Sequence, residues 1–245
     1  AMVMDASTKR ATLPAAATFS LHNRTERRYS TNFYHWRLFK RADGRWHYVA
    51  PWQWPEPLMS LPPGAHHAWT VAFSADAHAN EPVPRPQGTD SVSVSALGGG
   101  TYAFGTTGFF AGTDGPAVAF ATTLELDAPP LSLTPSGRLA RVDVTDERVL
   151  GHLAAEDDGG TQTAVYHLTP APDATDARSL IPEQAMRRGH GDDPLRDALF
   201  LATEYPDRPV ELRGPTGCYP PFCVDEGYTV RYAGTTYRAR SELAD

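Results

Sequence analysis

Lysine is nearly absent from this sequence. Lys9 and Lys40 are the only two in 245 residues, and every other basic side chain is arginine. Cysteine is as scarce, with Cys218 and Cys223 alone. A structural zinc site needs about four ligands, and no second cysteine pair or closely spaced histidine pair joins these two. No apolar run reaches the ~18 residues of a membrane-spanning helix, so no transmembrane segment is expected. Basic charge is not in excess: 22 Lys and Arg stand against 29 Asp and Glu, a net charge of −7. That balance excludes a nucleic-acid binder held by bulk charge. The Gly-x-Ser-x-Gly and His-Glu-x-x-His motifs are missing, and Gly98-Gly99-Gly100 lacks the Lys-Ser/Thr of a phosphate loop. No cofactor or metal is therefore implied.

The remaining composition is that of a folded chain, 41% hydrophobic and 21% charged. Asp outnumbers Glu, 18 to 11. A GC-rich genome accounts for arginine over lysine. A halophilic origin accounts for both biases, because an acidic surface repels itself little at molar salt. The Asp preference favours the halophile. Residues 1–17 lack the apolar core of a signal peptide. Ala1-Met2 reads as an added residue before a native start, so a cytoplasmic setting is expected, with export after signal removal left open. Asn23-Arg24-Thr25 is a glycosylation sequon of little weight on its own.

Residues 18–136 read as strands separated by turns. Phe19 and Leu21 alternate first. In 32–40, Tyr34, Trp36 and Leu38 share one face while His35, Arg37 and Phe39 share the other. Asp43-Gly44 signals a hairpin, and Trp46, Tyr48 and Ala50 continue the return strand. Trp69, Val71 and Phe73 alternate, as do Phe120, Thr122, Leu124 and Leu126; residues 74–90 read as a long loop. Short strands without intervening helices predict a mostly β chain, here a sandwich with Trp36 at its centre. Tyr102, just after the glycine run, sits where a tyrosine corner is expected.

Several segments together carry a resemblance. They are Tyr34-His35-Trp36-Arg37-Leu38-Phe39-Lys40, Asp43-Gly44-Arg45-Trp46, Leu61-Pro62-Pro63-Gly64, Trp69 and Gly100-Thr101-Tyr102-Ala103-Phe104. This half resembles immunoglobulin-like domains of archaea and bacteria, and is similar to the small sandwich of the intracellular proteinase inhibitor type; haloarchaeal proteins are the implied relatives. The resemblance implies an immunoglobulin-like β-sandwich. Inhibition does not carry over, since no inhibitory loop matches residue by residue.

Residues 137–245 read as a smaller α+β region docked on the sandwich. Strands are expected near 139–144, 163–168 and 210–212, and Tyr228, Val230, Tyr232, Ala233-Gly234 and Tyr237 predict a terminal hairpin. Residues 177–188 read as helical with Pro182 in the first turn. The clearest helix is 193–205, with Asp193 as N-cap, Pro194 at N1, and Leu195, Ala198, Leu199 and Ala202 as its apolar stripe.

Four residues form the candidate ligand-binding set: Trp46, Tyr48, Trp52 and Trp54. Planar aromatics on a sandwich edge stack on sugar rings or bury in a partner protein. The plainer reading makes alternating aromatics core, Trp46 above all, with Trp52 and Trp54 divided between the two. Cys218 and Cys223 enclose Tyr-Pro-Pro-Phe and form either a disulfide or two packed thiols, the latter favoured if the prolines hold the sulfurs apart. His35 opposite His47 on neighbouring strands would begin a copper or zinc site, whereas adjacent His66 and His67 point to opposite faces. Asp157-Asp158 reads as a solvated turn, and His190 to Asp193 as a helix cap. The leading expectation is a non-catalytic binding or protein-interaction module with a protein, carbohydrate or small-molecule partner. The others are an enzyme with a cleft between the halves, using His152, His167 or His190, and a structural subunit of a surface layer or virus particle.

Overall fold

A computed structural model describes residues 1–76, 90–112, 115–155, 162–186, 194–224 and 226–244. The turn expected at 156–160, the sequence 190–193 with the predicted cap Asp193, and most of the loop expected at 74–90 lie outside the described residues. The chain is mostly β and divides into two units, Ala1–Leu131 and Ser132–Asp245.

Eleven strands build the first unit. They are β1 (Met2–Ala6), β2 (Arg10–Thr12), β3 (Ala15–Asn23), β4 (Tyr29–Thr31), β5 (Arg37–Ala42) and β6 (Arg45–Ala50), then β7 (Met59–Leu61), β8 (His66–Phe73), β9 (Ser91–Val94), β10 (Gly100–Phe110) and β11 (Val118–Asp127). One sheet runs β1-β3-β8-β9. The other is organised on the long β10, which pairs with β11 along one edge and with β4 and β5 in turn along the other. Gly105 lets β10 and β11 come together: a Cβ there would meet the Phe120 carbonyl at 2.5 Å and the Ala121 Cβ at 2.8 Å.

Period-two patterning explains the core. Phe19, Leu21, Trp69, Val71, Phe73, Tyr102 and Phe104 are all buried. Phe104 joins the two sheets, stacking on Phe19 at 4.3 Å and meeting Trp69 at 5.5 Å and Trp36 at 5.7 Å. Tyr102 is buried and its hydroxyl donates to the Gly98 carbonyl at 2.8 Å, the upstream bond of a tyrosine corner.

Three expectations are corrected here. The first unit begins before residue 18, because β1 pairs with β3 and β2 runs parallel to β11. Its boundary falls at 131 rather than 136, since 134–136 are tied to a helix of the second unit. The strand expected over 32–40 starts only at Arg37: Asn32 Oδ1 accepts from the Tyr34 amide at 2.9 Å and the Asn32 carbonyl from the His35 amide at 3.1 Å, which turns the chain first.

The second unit holds β12 (Leu139–Val144), β13 (Val149–Leu153), β14 (Gln162–Pro170), β15 (Arg178–Ser179), α1 (Pro182–Met186), α2 (Leu195–Glu204), β16 (Val210–Thr216), β17 (Tyr228–Tyr232) and β18 (Thr235–Leu243). Its sheet order is β12-β13-β16-β14-β18-β17-β15. Leu195, Ala198, Leu199 and Ala202 of α2 are buried with Tyr166, Leu168, Val210 and Leu212 of the sheet, as the apolar stripe predicts. Pro194 takes the cap position of α2 rather than its first turn, and among the described residues of the helix expected at 177–188 only Pro182–Met186 are helical, Arg178 and Ser179 forming β15 instead. Two buried charges tie 134–136 to α2. Arg196 donates to the Thr134 and Pro135 carbonyls at 2.8 and 2.9 Å, and Asp197 accepts from the amide and hydroxyl of Ser136 at 2.6 Å each. Among the described residues no helix is long and apolar enough to cross a membrane.

Candidate functional site

The site grows from the β5–β6 hairpin. Asp43 and Gly44 both take positive φ, 49° and 73°, as a two-residue hairpin turn of this hand requires. Pairing sets Phe39 opposite Tyr48 and Arg41 opposite Trp46; a bulge then brings Ala50 opposite Leu38. That extra residue changes the phase of the strand. Val49 and Ala50 are both buried, and Trp46 and Tyr48 fall on the outward face with Arg37, Phe39 and Arg41.

Trp46 is therefore not core: 46% of it is exposed. The cause is an overhang. Pairing of β10 with β5 ends at Tyr102 and Lys40, so the hairpin tip from Arg41 to Trp46 projects past its support. Behind it the rings brace one another edge to face, Phe39 on Tyr48 at 5.5 Å and Tyr48 on Trp52 at 6.1 Å. The Tyr48 hydroxyl donates to the Pro51 carbonyl, which holds the ring and the following loop together. Trp54 lies flat on His35, centroids 3.8 Å apart, and Arg37 Nε donates to His35 Nε2 at 3.3 Å. Trp52 and Trp54 are half-buried, neither core nor free paddles. Burial pushes the His35 imidazole below its ordinary 6.5, Arg37 adds to the effect and Glu56 opposes it. The neutral ring is the form that accepts from Arg37.

All four sequence candidates thus gather around one hairpin and its following loop. Sequence reasoning missed their neighbours Arg37, Phe39 and Arg41. The alternation at 35–39 carries the signal, but linking it to Tyr48 requires the register. Beside the rings the register places small residues: Ala103 next to Phe39, the buried Gly105 next to Arg37, then Thr123 and Ala121 on β11.

Other candidates are placed elsewhere. His35 and His47 do not face each other, because His47 pairs with Lys40 and His35 precedes the strand. His66 stacks on His22 at 5.4 Å, while His67 lies on Phe33 at 3.9 Å. No group of three His, Cys, Asp or Glu side chains that could hold a metal occurs among the described residues. The sequon is an internal tie: Asn23 is buried, its Nδ2 donates to the Arg27 and Leu61 carbonyls, and its Oδ1 accepts from Thr25.

In the second unit, His152 meets Asp143 at 2.8 Å, and His167 meets Glu242 at 3.1 Å. The hydrogen bond from His152 holds Asp143 below the usual carboxylate range, with Arg141 contributing. These pairs lie on the solvated sheet face, where ion pairs contribute little. Cys218 and Cys223 form a disulfide, overturning the preference for two thiols. The prolines do not hold the sulfurs apart: positive φ at Phe222 and Cys223 curls the loop back, leaving the two Cα atoms 5.2 Å apart. Phe222 is buried at its base and Tyr219 is exposed at its tip. No family model matches the chain, and no curated protein matches it.

Proposed function

We propose that this chain is a non-catalytic binding module whose contact surface is the outward face of the β5–β6 hairpin. The observation that carries the reading is Trp46, a large indole 46% exposed on a braced hairpin rather than folded into the core. Tryptophan, tyrosine and arginine are the side chains that dominate binding energy at protein contact surfaces, and all three meet on this face. The bracing of Tyr48 and Trp54 means little side-chain entropy is lost on contact. Catalysis is disfavoured by the ionisable groups beside the rings. Arg37 and Arg41 offer only hydrogen-bond donors, and His35 is committed to Arg37 and Trp54.

The resemblance to immunoglobulin-like domains is supported by the two facing sheets and the Tyr102–Gly98 bond. The disulfide supports an oxidising compartment over the cytoplasm expected from the sequence. The test is intrinsic fluorescence of the full chain titrated with peptide, oligosaccharide and nucleotide panels. Saturable quenching by one class, lost in Trp46→Ala and kept in Trp69→Phe, is expected. Quenching that persists unchanged in Trp46→Ala would move the site elsewhere.

A further inference from the structure

We infer that the β5–β6 face takes an oligosaccharide bearing carboxylates, an inference that rests on the binding-surface reading above. The register lays out the face in rows. Trp46 sits beside Arg41; Tyr48, Phe39, Ala103 and Thr123 follow one another in the next row; Arg37, Gly105 and Ala121 make the third. Aromatic rings therefore stand at one side of a set of small residues. A pyranose ring presents an apolar face of axial C–H groups to an indole or phenol face, whose electron density attracts them. A peptide would need sockets for its side chains, and the small side chains of Ala103, Ala121 and Thr123 build none.

Charge selects the acidic member of the class. On the outward face the hairpin presents two guanidinium groups, Arg37 and Arg41, in a chain of net charge −7, while Lys40 and Arg45 alternate onto its other side. The outward side of the hairpin itself thus carries positive charge on an acidic protein, with Glu56 and Glu125 at its margins. Guanidinium groups bind carboxylates through paired hydrogen bonds. Arg37 and Arg41 lie four residues apart on one strand, about 13 Å, the span of two to three sugar rings, with Phe39 between them. A chain stacked on Trp46 and Tyr48 then offers one carboxylate to each guanidinium. A nucleic-acid strand repeats its charge about every 3.4 Å along a duplex and would leave phosphates unpaired against an acidic protein.

The experiment is a titration of the full chain, by calorimetry and tryptophan quenching, with four probes. They are a hexasaccharide alternating glucuronate with N-acetylglucosamine, neutral cellohexaose, oligo-deoxythymidylate and poly-glutamate. The acidic hexasaccharide is expected to bind and quench. Arg41→Gln, an exposed position whose fold is checked by circular dichroism, is expected to weaken it at least tenfold, and Trp46→Ala to abolish it. Raising salt from 0.05 to 1 M should weaken wild type more than Arg41→Gln. Equal binding of cellohexaose with no effect of Arg41→Gln overturns the acidic-sugar inference and leaves the binding surface standing. Binding of oligo-deoxythymidylate or poly-glutamate in place of the hexasaccharide does the same. If no probe binds, the inference falls, and the broader panels of the preceding test decide the surface itself.

Discussion

Replacing Tyr102 by Phe isolates one hydrogen bond in the centre of the first unit. The ring is fully buried, and its hydroxyl reaches the Gly98 carbonyl at 2.8 Å. Phe preserves the ring volume and the approach of Lys40 Nζ, 5.5 Å from the ring centre. The loss is the net value of a buried hydrogen bond plus the cost of leaving a carbonyl less well satisfied, about 1–3 kcal/mol together. With a urea m-value of ~2 kcal/mol per M, the unfolding midpoint falls by roughly 0.5–1.5 M. Trp36, Trp46, Trp52, Trp54 and Trp69 all lie in the first unit, so tryptophan fluorescence reports on that unit. Tyr34→Phe is the control. Tyr34 is half-buried outside any strand and bonds Asn32 through its backbone, so its change should stay within ~0.5 kcal/mol. A Tyr102→Phe midpoint within 0.2 M of wild type, at unchanged m-value, would refute the claim that this bond holds the corner (about 0.4 kcal/mol at that slope).

Other perturbations address the second unit and the titrating groups. Asp197→Ala removes the acceptor of two 2.6 Å bonds from Ser136 and should destabilise the second unit by about 2–3 kcal/mol in urea melts followed by far-ultraviolet dichroism; a cost below ~0.5 would show the tie to be dispensable. Cys218→Ser with Cys223→Ser should cost about 2 kcal/mol, the chain-entropy value for so short a loop, and the wild-type chain should titrate no free thiol before reduction. Tyr232 is pushed up from 10.0 to about 12, chiefly by burial and further by Glu183. Its native state thus holds the proton more tightly than the unfolded chain, and its contribution is complete below pH 10 and lost from there to about pH 12. Phenolate absorbance at high pH should show Tyr232 ionising late, a signal missing in Tyr232→Phe. His35 runs the other way, since its contribution holds above its ordinary 6.5 and fades as pH falls through the lowered value. Acid quenching of fluorescence with an apparent pKa below 6.5 should vanish in His35→Gln.

Strands that bury one face in the middle of a sheet were legible. Trp69, Val71 and Phe73 are buried in alternation, and so are Leu124 and Leu126. Two hairpin turns carried their chemistry in the sequence, Asp43-Gly44 and Ala233-Gly234. β1, β2, β4, β7, β13 and β15 were not recognised, because short or edge strands have too few alternating positions to distinguish a period. The candidate aromatics lie together around one hairpin and its following loop, but their exposure was not legible in the sequence. Whether Trp46 points inward depends on a one-residue bulge and on where β10 stops, and both are facts of pairing between distant segments. The disulfide was undecided for a similar reason, since it depends on the backbone turn at Phe222 and Cys223 rather than on their spacing.

The opening residues belong to both sheets of the first unit: β1 lies along β3 in one, and β2 lies along β11 in the other, with Arg10 beside Glu125. In a chain made from N- to C-terminus, β2 leaves the ribosome well over a hundred residues before the end of β11 and waits for nearly the whole unit to follow. At ~5–20 residues per second that delay is roughly 5–25 s. A strand made early in the unit is thus among the last to find its partner, and for that interval its unpaired backbone is open to a chaperone or a neighbouring nascent chain.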